Sequence, residues 1–414
     1  MNRRAFAALP RSLKSLIVLS FVVALGSYMV TPFLGVLMVK WAGFDIRLAG
    51  GLVAAATFIQ FAGSIAGGWV VARIGLKRTM VGALLLRTTG LLLLGLADRL
   101  PAIAYPAVLL VAAGPALYLP ANKAYIVASV PDEKRPLFLG VSSAALNAGM
   151  GLGPLLAALL LESDPLMMLC TVAALFAVIT VAHQVTLRPR PLDRTSADLT
   201  AAERSAPSRT GASVRQLRGA LQPMVFTVLA FYLYFFFQSF IGLYAAETSA
   251  LRSLGWVLLV NCAIVVLLQP PLSGLIARAG YRRLLSGSFA LMGAGAAAMS
   301  AGHLAALLAG TVLFSLGEVF LFLRSDLELL ERLPDSPAFA FGVQRLTAGV
   351  GGMLAGVVGG FVFAQSKAAD RLGWFWLAVA LQCALAALGA LVFGGRGPAG
   401  PVRQGQAAGV GVAR

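Results

Sequence analysis

Charge is what this chain has least of. Only 12% of its 414 residues are Asp, Glu, Lys or Arg, where a soluble protein carries about 25%. That excludes an ordinary soluble domain. Cysteine is scarce too: Cys170, Cys262 and Cys383 are the only three, and each sits inside an apolar run, so a disulfide framework is excluded. With His183 and His303 as the only histidines, there is no metal-ligand cluster, and no metal or cofactor is expected. No G-x-x-x-x-G-K-[ST] loop is present, so the chain shows no means of hydrolysing ATP. No nucleophile–base pair suggests an enzyme. The polar stretches are too short for a soluble receptor or signalling module.

What fills the chain is apolar: 59% hydrophobic residues and a mean hydropathy of +0.86. The runs are long rather than alternating segments of about ten residues, so they read as membrane helices and not barrel strands. Twelve runs are long enough to span: 15–39, 46–72, 79–97, 102–130, 137–161 and 165–187, then 223–246, 253–277, 284–302, 304–330, 338–365 and 372–394. Between the two sets lies a charged, Pro- and Ser-rich stretch, 188–222, that cannot build a core and reads as a flexible cytoplasmic linker. The expected fold class is an all-α membrane protein of twelve transmembrane helices in two pseudo-symmetric six-helix bundles. Its divisions are 1–187, the linker 188–222, 223–394, and a disordered cytoplasmic tail 395–414.

The formal net charge is +17, but the basic residues flank apolar spans rather than forming a stripe on a soluble domain, so no nucleic-acid partner is expected. They set orientation instead. With the N-terminus inside, 23 Lys and Arg fall on the inner side and six on the outer. Both termini are therefore expected in the cytoplasm of a multi-pass, inner-membrane protein, with lipid headgroups as partners of the basic loops. The run after the basic start MNRRAFAALPRSLK is too long for a signal-peptide core, so that start reads as an uncleaved inner flank.

The two halves echo one another. ARIGLKR (72–78) returns as ARAGYRR (277–283), 205 residues on. Gly114, Lys123, Pro131 and Asp132 return as Gly317, Asp326, Pro334 and Asp335 at an offset of 203. Gly140-Val141 returns as Gly342-Val343. Three echoes in one order imply a duplicated six-helix unit. Two such units rocking about a midplane site are a known transporter design.

With these residues in view, nearly the whole chain resembles the major facilitator superfamily. The loop signature after span two, G-x-x-x-D-R-x-G-R-[KR], is matched at Gly68, Arg73, Gly75 and Lys77. The span-five signature G-(x8)-G-x-x-x-G-P-x-x-[GA]-[GA] is matched at Gly140, Gly149, Gly153, Pro154, Ala157 and Ala158. The resemblance implies drug or metabolite efflux, as in drug–proton antiporters, and a gating role for these motifs. Two features depart from it. Ala72 replaces the loop aspartate and Leu76 its first basic residue, so the usual charge contact is missing. No arginine stands in span four between Tyr105 and Lys123.

Physically, Gly149, Gly151 and Gly153 allow close helix approach, and Pro154 removes a backbone donor and bends its helix. Arg73 and Lys77 suit gating or plain topology signalling equally well. Embedded charges are the sharper clue, because each is costly unless paired or wet. At a rise of about 1.5 Å per residue, Lys123 and Asp326 lie roughly 12 Å in from their Pro-Asp ends and Glu318 near the midplane. Lys123 and Asp326 occupy duplicate positions with opposite sign. If spans four and ten face each other, as the resemblance implies, the two meet. Glu318, Phe322 and Asp326 share one broad side of span ten, and Glu318 is a buried carboxylate able to carry a proton. Its structural alternative is a bond to Arg87, Arg345 or the backbone. Arg324 and Glu328 suit a local i, i+4 pair. Arg87 and Arg345, in spans three and eleven, are secondary candidates whose structural role leads. Tyr234 and Gln238 of the aromatic span seven offer rings and hydrogen bonds to a ligand, although such a run more often packs. Glu247 reads as a solvated flank or outer gate.

The expected function is a secondary transporter, a monomer exporting a small organic compound (a drug or secondary metabolite) in exchange for protons. An importer or facilitator of an anionic or zwitterionic metabolite stays open beside it.

Overall fold

The computed structural model describes residues 11–161, 164–188, 214–248 and 251–393. The tail 395–414 and most of the linker lie outside them, as does the side chain of Ala158. Among the described residues the chain is helical, with no strand.

The first half runs α1 (Arg11–Val30), α2 (46–74), α3 (Leu76–Gly95), α4 (Ala104–Val127), α5 (Arg135–Leu161) and α6 (Pro165–Thr186). Short 3₁₀ and π turns extend α1 to Trp41. The second half runs α7 (Val214–Glu247), α8 (Leu251–Arg278), α9 (Tyr281–Met299), α10 (Leu304–Arg332), α11 (Pro337–Ala368) and α12 (Gly373–Phe393). Each expected span has its helix. α7 is helical from Val214, ahead of 223, where the apolar run begins. Polar residues lengthen a helix readily once an apolar segment has nucleated it.

Nine of these elements are long and apolar enough to cross a membrane, and α2 makes a tenth when its two parts count as one span bent by 48°. That bend falls at Gly63, between Ile46–Ala62 and Ser64–Ile74. α5 and α9 do not meet the same measure among the described residues. α9 opens on Tyr281-Arg282-Arg283 and closes on small residues, a composition suited to tight packing rather than to lipid.

The duplication is visible in the packing. α1 packs on α5 as α7 packs on α11; α3 packs on α4 and α6 as α9 packs on α10 and α12. The halves join through α5 against α8 and α2 against α11, a pseudo-twofold exchange of the same faces. A side chain added at Gly90 would come 2.8 Å from Val111 of α4, and one at Gly295 would come 2.5 Å from Gly310 of α10. This glycine pair is a further echo, 205 residues apart.

Candidate transport site at the seam

On the side where α6 ends and α7 begins, hereafter the linker side, the halves touch backbone to backbone. A Cβ on Gly68 (α2) would meet the Phe339 Cα at 2.7 Å, and one on Gly342 (α11) would meet the Ser64 carbonyl at 2.5 Å. Gly140 faces Gln269 and Ser273 of α8 in the symmetry-related position. Beside these contacts the Lys123 Nζ lies 2.5 Å from the Asp326 Oδ2, joining α4 to α10. Lys123 also stands 5.3 Å from the Phe341 ring centre. The lysine side chain is 19% exposed and the aspartate 9%, and the Asp326 Oδ1 has no hydrogen-bond partner. The pair ties a helix of one half to a helix of the other.

Deeper in the same seam is a cavity of about 120 Å³. Its walls include Tyr28, Gln60, Arg87, Tyr118 and Arg345. Arg87 is 3% exposed. It reaches the Val111 and Ser27 carbonyls at 3.4 and 3.5 Å, the long limit for a hydrogen bond, and lies 5.0 Å from the Phe176 ring. Arg345 lies 4.6 Å from the Phe61 ring. The Arg87 Nε and the Arg345 Nε and Nη2 are buried without hydrogen-bond partners. Tyr28 is within electrostatic reach of both guanidinium groups. Both stand on the cavity wall. Span number does not say which way a side chain points.

Glu318 is not on that wall. It is 4% exposed and accepts a 2.9 Å hydrogen bond from the Asn261 amide, which also donates to Ser315 at 2.8 Å. No cation among the described residues pairs with it, so neither Arg87 nor Arg345 is its partner. Glu318, Phe322 and Asp326 fan out to different neighbours. Glu318 faces α8, Phe322 stacks on Phe231 of α7 at 4.5 Å, and Asp326 faces α4. Tyr234 stands beside Phe322. Its hydroxyl donates to Gln238 at 3.2 Å and its ring meets Phe322 edge-on. The other rings of α7 build the core of the second half. Arg324 pairs with Glu328 at 2.8 Å, and Glu328 takes Arg332 as well. Glu247 pairs with Lys367 inside the second half, so it does not bridge the seam.

The chain matches the Major Facilitator Superfamily over residues 16–252. It belongs to that superfamily. The superfamily is one of membrane transporters rather than enzymes. Among curated relatives it is similar to an uncharacterized MFS-type transporter of Mycobacterium tuberculosis, Rv0849, with 29% identity over 185 residues, 45% of this chain and 44% of that one. A Na(+), Li(+), K(+)/H(+) antiporter of Planococcus maritimus is 32% identical over 39% of each chain. The multidrug resistance protein MdtH of Shigella boydii is 28% identical over 42% of this chain and 43% of its own. The chain thus spans less than half the length of the curated relatives it matches. Two solved folds superimpose along its length. The human organic anion transporter MFSD10 (TETRAN) does so at TM-score 0.70 and 15% identity, over 91% of this chain and 99% of that one. The E. coli fucose:proton symporter FucP does so at 0.68 and 16%, over 91% and 97%.

The superfamily's motif residues have definite places. Gly75 ends α2 at φ +88°, a conformation open to glycine. Arg73 lies 3.4 Å over its own helix's Trp69 ring, and half-buried Lys77 opens α3. Gly149 and Gly153 serve α1: their Cβ atoms would stand 2.6 Å from the Phe21 carbonyl and 2.9 Å from the Tyr28 Cβ. Pro154 lies within α5 just after them. The span-five motif therefore seats Tyr28 on the cavity. One network was not foreseen. Asn122 donates to Ser20 and to the Tyr118 hydroxyl, which reaches the His183 Nε2 at 3.0 Å. The His183 Nδ1 faces the Ile179 carbonyl, which can only accept, so Nδ1 carries the proton and Nε2 accepts from Tyr118. Its parts lie in three helices, and no spacing in the chain announces it.

Proposed function

We propose that this protein is a proton-coupled secondary transporter that exports a small organic compound by alternating access between its halves, 1–187 and 223–394. The observation carrying the reading is the Lys123–Asp326 pair, which holds the linker side shut from opposite halves. A pair that must break and reform suits a gate, because its parting leaves both ions to water. Export is supported by the Gly-Pro motif of α5 and by the multidrug resistance relative. Proton exchange is supported by the antiporter relative and by Glu318, whose only side-chain partner among the described residues is a neutral amide. A carboxylate so placed is easily held neutral and charges when water reaches it. We assign both termini to the cytoplasmic face of the inner membrane, on the excess of basic residues there, and a monomer as the working unit.

The test is transport in proteoliposomes under an imposed pH gradient. Glu318→Gln is expected to retain downhill exchange and lose acceleration by the gradient. A wild-type rate with unchanged proton coupling would remove Glu318 from the mechanism.

A further inference from the structure

The seam cavity points to a substrate class. We propose that Arg87 and Arg345 form an oxyanion-recognition site, and that the transported compound is a small organic anion. The inference rests on the transporter reading above and adds the chemistry of its cargo.

The argument starts from charge. Lys123 is matched by Asp326, and Arg324 by Glu328. Arg87 and Arg345 have no such match: among the described residues, no carboxylate lines the cavity they share. Two cations on one wall repel, and burial without a counter-ion is costly. Among the described residues three of their buried nitrogens have no hydrogen-bond partner, and the hydrogen bonds Arg87 does make are two long ones to carbonyls. Aromatic faces at Phe176 and Phe61 soften the cost without neutralising it. Guanidinium forks match the two-oxygen edge of a carboxylate or phosphate-type head. Tyr28 adds a hydroxyl and Gln60 an amide on the same wall.

Position adds a second argument. Arg87 belongs to α3 and Arg345 to α11, so one anion held by both would tie the two halves together. Size adds a third. Pockets for drug-sized ligands run about 300–1,000 Å³, whereas this one measures about 120 Å³. It suits a charged head rather than a bulky hydrophobic body.

The experiment uses the full chain in nanodiscs and three probes of one shape: benzoate, benzamide and benzylammonium. Benzoate is expected to raise the melting midpoint by about 3 °C at saturation, and the neutral and cationic probes by less than about 1 °C. Arg87→Gln and Arg345→Gln should each lose the benzoate shift while melting, ligand-free, at or above the wild-type temperature, since an unmatched buried cation is gone. Arg345→Lys should keep part of the shift, having charge without the fork. The proposal is overturned if wild type does not respond to benzoate, if benzamide stabilises equally, or if the double Gln variant keeps the shift. The probe series on wild type decides the matter even where a variant misfolds. Proton-driven export without any anion response sinks this site alone. An anion response in a protein that moves nothing sinks the transport reading alone.

Discussion

At the scale of single residues, two of the ion pairs of α10 differ in kind. Arg324–Glu328 is local, spans one helical turn, and survives any motion of the halves. Lys123–Asp326 lasts only while α4 and α10 are together. Replacing Lys123 by Ala leaves Asp326 buried and unmatched, which costs the closed arrangement about 3–5 kcal/mol. Linker-side cysteine probes should then react faster than in wild type. The exchanged pair Lys123→Asp with Asp326→Lys should restore slow labelling. If the exchanged pair labels as fast as the single variant, the contact is incidental. The opposite charges at duplicate positions were legible from the chain, while the facing of spans four and ten that lets them meet was implied only by the resemblance to the superfamily. The partner of Glu318 was not legible. Asn261 lies on another helix, and an amide in an apolar run carries no signal of what it faces. Arg87 and Arg345 were visible as charges, while their shared cavity depends on helix rotation, which hydropathy does not encode.

At the scale of helices, glycine position governs distance. Gly149 and Gly153 bring α5 against α1, and Gly351 repeats the contact of α11 with α7, 2.6 Å from the Val228 carbonyl. Gly153→Val should separate α1 from α5, displace Tyr28, and lower stability by about 1–3 kcal/mol, measured as a loss of melting temperature and of benzoate response together. Gly356→Ala is the matched control: nothing lies within 4 Å of the added carbon, so its melting temperature should not fall. Helix positions were readable because apolar length sets them. The bend at Gly63 was not, since nothing in LVAAATFIQFAGSIAGG marks which glycine yields. The aromatic run of α7 looked equally fit for ligand or core. Packing assigns nearly all of it to the core, because rings facing rings outcompete any single polar contact.

At the scale of the whole molecule, the linker side is shut by glycine contacts as well as by charge. The Cβ of a cysteine at Gly68 would stand 3.2 Å from the Phe339 Cβ, closer than the roughly 3.5–4.5 Å of a disulfide, so a small parting of α2 and α11 would admit the bond. In a background lacking Cys170, Cys262 and Cys383, oxidising Gly68→Cys/Phe339→Cys should arrest transport, and reductant should restore it. Transport continuing at full rate through the oxidised form would mean that the halves need not part here.

The opposite signs of Lys123 and Asp326 have a consequence for ancestry. Two identical subunits meeting on an exact twofold axis present the same residue to itself, so like would confront like at this spot. A lysine can face an aspartate there only after the two copies have diverged. This bridge is therefore younger than the duplication, and a dimer of identical halves must have latched by other means.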